Sequence, residues 1–106
     1  MQGLATALYE DMRFGVDGAI LNPNFTDYKI PTALDIPDKI IPVMGIESLQ
    51  HDGPYGARGI GEHTMIPVAP AIANAVENAL GIRIKRLPIT AEKIALAIKE
   101  GLKEVD

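Results

Sequence analysis

Two amphipathic segments near the carboxyl end constrain the fold more than any other feature of the sequence. Apolar residues recur at spacings of three and four from Ile66 to Leu80, which is the pattern of a helix with one buried face. Ala91–Glu100 carries a similar pattern, with Thr90 before it as an N-cap and Gly101 after it as a stop. The sequence therefore predicts two helices, one on each side of a short connection.

The connection between these helices predicts a strand. Gly81 stands at the C′ position of the first helix, where a left-handed residue is common. Ile82–Leu87 follows and is too short for a further helix, whereas strands of this length are common. The cations Arg83 and Lys85 alternate with apolar residues there, as expected for the solvated edge of a strand.

The amino-terminal part predicts one helix and one hairpin. Apolar residues at helical spacing predict a helix within residues 4–12. The lack of a Ser, Thr or Asp cap indicates either a helix whose start has been cut off or a fragment boundary. Phe14–Ile20 predicts a hairpin in which Asp17 and Gly18 supply the positive-φ turn.

The middle of the chain predicts little regular structure. Repeated prolines indicate that residues 22–39 are mostly extended or irregular. The β-branched residues of Ile40–Ile46 predict a strand, which Pro42 restricts to the edge of a sheet. Residues 47–61 predict a long polar loop, a class that is often functional. Asp27 and Lys29 would share one face of extended chain, so a surface ion pair is expected between them.

Together these elements predict an α+β fold, a small mixed domain with about three helices and a few short strands. The length of 106 residues fits a single domain or fragment that spans residues 1–106.

Charge and composition exclude several classes of function. Ten Lys and Arg against fourteen Asp and Glu give a formal net charge of -4 without a basic stripe, which argues against a nucleic-acid partner. Apolar runs stop well short of the roughly 20 residues that a spanning helix needs, and no signal peptide is visible. The absence of cysteine excludes thiol catalysis, iron–sulfur ligation and zinc–thiolate sites within the chain. We expect a cytoplasmic protein that binds no metal through its own side chains.

The segment Gly53–Glu62 is the candidate site. Its four glycines, at positions 53, 56, 59 and 61, let the backbone adopt positive φ and approach a ligand closely. It lacks the Lys-Ser or Lys-Thr of a phosphate-binding loop, and on local pattern alone a structural turn is favoured. Glu62 is open to two interpretations, a carboxylate that complements a helix dipole or a general base on a tight backbone. The residues alone favour the structural interpretation.

Several motifs in one order resemble the molybdopterin-binding subunit of the xanthine dehydrogenase and aldehyde oxidoreductase family. The resemblance covers nearly the whole chain and is most specific at the glycine-rich element. The matching segments are Gln2–Leu4, Leu21–Thr32, Gly56–Glu62, Ile66–Ala75, Gly81–Arg83 and Leu87–Lys93.

This resemblance implies a function for the glycine-rich element. The chain would be a carboxyl-terminal segment of a molybdenum hydroxylase, and Glu62 its catalytic base in the hydroxylation of a heterocycle or aldehyde. Gly59 and Gly61 would let the loop lie against the cofactor. The implied cofactor of the full assembly is molybdopterin with molybdenum, as the cytosine dinucleotide in bacteria. The implied partners are the remaining molybdopterin-binding segments and the iron–sulfur and flavin subunits or domains.

The chain also departs from the family pattern. His63-Thr64 replaces the usual proline pair after the glutamate, and Arg58 stands where lysine is common. Thr64 is a candidate helix cap, and His63 is either a packing residue or a residue that faces the site. Other cofactor-binding and substrate-positioning segments of the family lie outside this sequence. We therefore expect the isolated chain to be inactive, with no cofactor of its own, and its exposed apolar surface to favour self-association.

Two alternatives stay open. One is a non-catalytic assembly or binding module that retains the family scaffold. The other is an unrelated small domain whose glycine loop binds a free anion. It also stays open whether the chain is a separately encoded subunit, a deliberately made piece of a longer protein or a truncated reading frame.

Overall fold

A computed structural model describes residues 1–43, 45 and 48–106. Within these ranges the chain forms three α-helices, two strands and three short 3-10 turns. The α+β class predicted from the sequence is confirmed. In chain order the helices and strands are α1 (Gln2–Leu8), α2 (Val68–Leu80), β1 (Arg83–Ile84), α3 (Ala91–Glu100) and β2 (Glu104–Val105), and the 3-10 turns are Ala33–Asp35, Pro54–Gly56 and Glu62–Met65.

The carboxyl-terminal helices end where the sequence predicts. Gly81 follows α2 in the left-handed region with φ 68°, and Gly101 follows α3 with φ 66°. At the other end of α3, the hydroxyl of Thr90 accepts a hydrogen bond from the backbone N–H of Lys93 at 3.2 Å. This bond satisfies one of the N–H groups that a helix start leaves without a partner, so the predicted cap is confirmed.

The two strands form a small parallel sheet. Arg83 lies opposite Glu104 and Ile84 opposite Val105, with α3 as the crossover that a parallel pair requires. β2 was not predicted, because two residues carry too little pattern to indicate a strand. β1 is shorter than the predicted Ile82–Leu87, since its partner strand offers only two residues.

The core is small and lies where α2, β1 and α3 meet. Four fully buried apolar residues form it, and the partly buried Leu8 of α1 packs against it. The backbone N–H of Ile89 donates to the carbonyl of Ala7 at 2.6 Å, which joins the end of α1 to this core. The buried cluster consists of Ile82, Ile84, Ile89 and Ala97.

α1 packs closely on the beginning of α2. Gly3 is buried, and a Cβ atom placed on it would lie 2.7 Å from Cβ of Val68, which is closer than real side chains approach. Since glycine has no Cβ, the two helices can contact each other at this point. This contact brings the amino end of α1 beside the Glu62–Met65 turn that precedes α2.

The rest of the chain spreads around this core. The Cα radius of gyration is 17.7 Å, whereas a compact domain of this size has about 13 Å. Large apolar side chains stand in solvent, among them Phe25 (81% exposed), Leu34 (96%) and Ile60 (84%). A surface this apolar is typical of a segment that packs against further protein.

The predicted hairpin is confirmed, but the first helix is shorter than predicted. Phe14 and Ile20 form an antiparallel bridge, and Gly18 adopts φ 81° in the turn. α1 ends at Leu8 rather than Met12, and the following Tyr9 leaves helical geometry with φ -128°.

Two expectations for the middle of the chain are wrong. Residues 40–43 and 45 are not in a strand, while Met44 and Ile46 lie outside the described residues. Pro42 cannot donate to a ladder, and no strand among the described residues pairs with this segment. The expected ion pair also does not form, since Lys29 donates to the carbonyl of Thr26 at 2.5 Å and Asp27 accepts from Asn24.

Two tyrosine–carboxylate hydrogen bonds attach the irregular segment to the end of α1. The hydroxyl of Tyr28 donates to Glu10 at 2.7 Å, and that of Tyr9 donates to Asp35 at 2.8 Å. Asp35 also accepts from the backbone N–H of Thr32 at 2.7 Å. The pKa of the Asp35 carboxyl is lowered, first by this backbone N–H and then by the hydroxyl of Tyr9. The same bond raises the pKa of Tyr9.

We predict that Asp35→Asn lowers stability at pH 6 and that this loss shrinks toward pH 3. A carboxyl whose pKa is depressed in the folded state stabilises it above the unfolded value of about 3.9, and that stabilisation is lost as the pH falls. Melting temperatures of the wild type and the variant, measured from pH 6 to pH 3, would check this. Asp38→Asn, an exposed aspartate nearby, is the control. A difference between wild type and Asp35→Asn that does not change with pH would contradict the prediction.

Candidate functional site

The backbone of the glycine-rich loop differs from the expectation that its glycines adopt positive φ. Of its four glycines only Gly56 adopts positive φ, at 74°, and Tyr55 beside it is also left-handed with φ 53°. Gly59 and Gly61 have no positive φ, so neither supplies the left-handed backbone that the sequence predicts for the loop. The space around these two glycines distinguishes them from Gly56.

Glu62 begins a short 3-10 turn that precedes α2. The turn runs from Glu62 to Met65, and Pro67 separates it from α2 as the N-cap residue. The missing N–H of Pro67 and of Pro70 costs nothing at a helix start, where these donors have no intrahelical acceptor. Thr64 does not cap α2, contrary to expectation, because its hydroxyl donates back to the carbonyl of Gly61 at 3.3 Å.

The carboxylate of Glu62 is held by a residue from the other end of the chain. Nε2 of Gln2 donates to Oε1 of Glu62 at 3.0 Å, across a separation of 60 residues in sequence. Within the described part of the chain, the second carboxylate oxygen, Oε2, has no hydrogen-bond donor. The turn thus carries a carboxylate with one oxygen tethered and one oxygen available.

An open cleft lies between α1 and the start of α2, and Gln2 is not among the residues that line it. The cleft has a volume of about 470 Å³ and carries Glu62 on its wall. Most of its lining surface is apolar, with Met65 and Ile66 on one side. The other lining residues are Gly3, Thr6, His63 and Ala69.

His63 and Gly59 contact each other beside the carboxylate. A Cβ atom on Gly59 would lie 2.6 Å from Cε1 of His63, so the ring occupies the space that a side chain at position 59 would need. His63 therefore borders the cleft and also packs on the loop, which combines the two roles considered for it from the sequence.

Gly61 faces open space. A Cβ atom there would meet no atom of the described chain within 4 Å. The packing of the described chain therefore does not explain a glycine at position 61. A group outside the chain that approaches the backbone at this point would explain it.

Other features of the described chain do not add to this site. Among residues 1–43, 45 and 48–106 no three His, Asp or Glu side chains are arranged to hold a metal ion. None of the helices described has the length and apolar character needed to cross a bilayer. Tyr55 is fully exposed, and Arg58 donates to Ser48 at 3.4 Å.

The sequence predicted Glu62, Gly59 and Gly61 as site residues but did not predict a role for Gln2. Gln2 opens a motif that resembles the family, yet nothing in its spacing relates it to Glu62. Only the packing of α1 on α2 brings these two side chains together.

Comparison with known proteins gives a consistent result. Residues 1–37 match the molybdopterin cofactor-binding domain family. The chain is 39% identical over 93 residues to the putative xanthine dehydrogenase molybdenum-binding subunit of Escherichia coli, a match that covers 87% of this chain and 12% of the relative. It is 35% identical over 101 residues to the aldehyde oxidoreductase of Megalodesulfovibrio gigas, covering 87% of this chain and 11% of the relative.

A solved structure shows the same fold. Quinoline 2-oxidoreductase from Pseudomonas putida 86 superposes with a TM-score of 0.75 at 34% identity, over 93% of this chain and 13% of that chain. The chain thus spans about an eighth of the length of this protein and of the Escherichia coli relative.

Proposed function

The chain belongs to the family of molybdenum-binding subunits of xanthine dehydrogenases and aldehyde oxidoreductases, as a short segment of that large subunit, and from this premise we propose that Glu62 is the catalytic base of a molybdenum hydroxylase. The observation that carries the proposal is the placement of its carboxylate on the wall of the cleft, with Oε2 available. The alternative role, a carboxylate that only complements a helix start, would not need a cleft beside it.

Glu62 would act by accepting one proton. Oε2 takes the proton from the oxygen nucleophile as that oxygen bonds to an electron-poor carbon of a heterocycle or aldehyde. The molybdopterin cofactor supplies the two-electron redox chemistry when it is bound. Oε1 keeps its hydrogen bond to Gln2 throughout, so the carboxylate need not reorient to collect the proton.

The apolar wall of the cleft would support this role. Met65, Ile66 and Ala69 offer no competing hydrogen-bond partners to the carboxylate or to a substrate ring. Once the remaining segments of the subunit cover the cleft, water is excluded and the hydrogen bonds inside it become stronger.

One structural observation supports a fit between the residues present and the molybdopterin group. The backbone at Gly61 faces space that no atom of this chain fills, so a bulky cofactor could approach it without meeting a side chain. We propose that Gly59 and Gly61 form the part of the loop that lies against the pterin. The relatives named above are bacterial, which favours the cytosine dinucleotide form of the cofactor.

A complete site requires further chain. The relatives are about eight times longer than this chain, so the substrate-positioning residues and most cofactor contacts belong to other segments. We propose that the isolated chain has no turnover and that it works in the cytoplasm with the rest of the molybdopterin-binding subunit and with iron–sulfur and flavin subunits. Two other relatives support a multi-subunit setting, since they are named as subunits of a 6-hydroxypseudooxynicotine dehydrogenase complex and of nicotinate dehydrogenase.

We predict that Glu62→Gln in the complete subunit lowers kcat by at least about 100-fold, because a general base contributes about 10²- to 10⁴-fold to the rate. Molybdenum content should not change, since the amide has the same shape as the carboxylate. The matched control is Glu92→Gln, which removes a carboxylate from the first turn of α3 and should keep full turnover. Turnover retained by Glu62→Gln would refute the assignment.

We also predict a specific effect of Gly61→Ala. The new methyl group meets nothing within this chain, so the free energy of unfolding of the cofactor-free protein should change by less than about 0.5 kcal/mol. In the assembled subunit the same methyl group would meet the pterin and reduce the bound molybdenum. Metal analysis together with urea denaturation separates the two effects. Normal molybdenum content would mean that the cofactor does not approach this glycine.

A further inference from the structure

We propose that Gln2 is a positioning residue for Glu62. Its side-chain amide holds Oε1 and leaves Oε2 available to accept a proton. The inference rests on the proposed function of Glu62 and adds a residue to it, one that sits 60 positions earlier in the chain.

The chemistry of the contact between Gln2 and Glu62 determines which residue is the hydrogen-bond donor. Nε2 of Gln2 lies 3.0 Å from Oε1 of Glu62, and an amide nitrogen can only donate. The acceptor must therefore offer a lone pair, which both oxygens of an ionised carboxylate do. The amide therefore fixes one carboxylate oxygen and leaves the other for the proton that a general base accepts.

The donor stands on a scaffold that does not depend on the glycine-rich loop. Gln2 is the first residue of α1, and its carbonyl accepts from the hydroxyl of Thr6 at 3.2 Å, one turn later. α1 is fixed in turn by the close approach of Gly3 to Val68 and by the bond between Ile89 and Ala7. The hydrogen bond from Gln2 thereby fixes the position of the Glu62 carboxylate relative to α1.

The charged surroundings of the carboxylate are simple. His63 is the only other titratable side chain that lines the cleft in the described part of the chain, and it lies on the same turn as Glu62. From α1 the lining residues are Gly3 and Thr6, and from α2 Ala69, none of which carries charge. The amide of Gln2, which contacts the carboxylate, is also uncharged. A change of charge at position 2 should therefore act directly on Glu62.

Two substitutions of Gln2 test the role. Gln2→Met keeps the length of the side chain and removes the donor, and Gln2→Glu places a second negative charge at the same point. Gln50→Glu, outside the cleft, is the matched control because it adds the same charge elsewhere on the chain. All are made in the complete subunit, together with Glu62→Gln.

The first readout is independent of turnover. The ¹³C NMR signal of the Glu62 carboxyl carbon is recorded at pH 7 in cofactor-free subunit. We expect Gln2→Met and Gln2→Glu to move this signal, because both remove the amide donor to Oε1. Gln50→Glu should leave the signal where it is in the wild type.

The second readout is the split between kcat and KM in the loaded enzyme. Both Gln2 variants should lower kcat by about tenfold, because a base that is no longer held in place meets the proton in the right geometry less often. KM should change little, because Gln2 acts through Glu62. Gln2→Met provides the test without added charge if Gln2→Glu reduces the yield of folded protein.

The outcomes separate the two proposals. If Glu62→Gln is inactive but both Gln2 variants leave the carboxyl signal and kcat unchanged, the positioning role is overturned and the base assignment stands. If Glu62→Gln keeps its turnover, both proposals fail. Equal shifts in Gln2→Glu and Gln50→Glu would show a general charge effect and would also overturn the positioning role.

Discussion

The contact between α1 and α2 is the constraint on which the rest of the site depends. It exists because position 3 has no side chain, so that the first helix can lie against Val68 at the beginning of α2. That approach sets the distance from Gln2 to Glu62 and leaves the cleft between the two helices. A larger residue at position 3 would separate the helices, and the carboxylate would lose its partner without any change in the loop that carries it.

Most of the carboxyl-terminal half could be predicted from the sequence because its signals are local. Thr90, Gly81 and Gly101 act within one helical turn of their own positions, and the structure confirms all three. β2 was missed because a two-residue strand is defined by its partner rather than by its own residues. The expected strand after residue 40 failed for the opposite reason, since β-branched residues favour a strand only where a neighbouring strand can pair with them.

The residues of the site also differ in whether local sequence could predict them. Glu62, Gly59 and Gly61 lie in one short motif, so a sequence resemblance could indicate them together. Gln2 could not be related to them from the sequence, because a hydrogen bond between residues 60 positions apart produces no recognisable local pattern. The expectation that the glycines adopt positive φ was correct only for Gly56. The structure adds that Gly61 faces space that the described chain does not fill.

The parallel arrangement of β1, α3 and β2 has a consequence for the order of assembly. Together with α2 it forms a continuous stretch from residue 68 to residue 105, whose contacts join residues close in sequence. Such local contacts form quickly, whereas α1 must close a loop of about 60 residues before it can dock, and closing a loop has an entropic cost that local contacts avoid. We therefore expect the surroundings of the carboxylate to be completed late in folding, after the scaffold that supports them has formed.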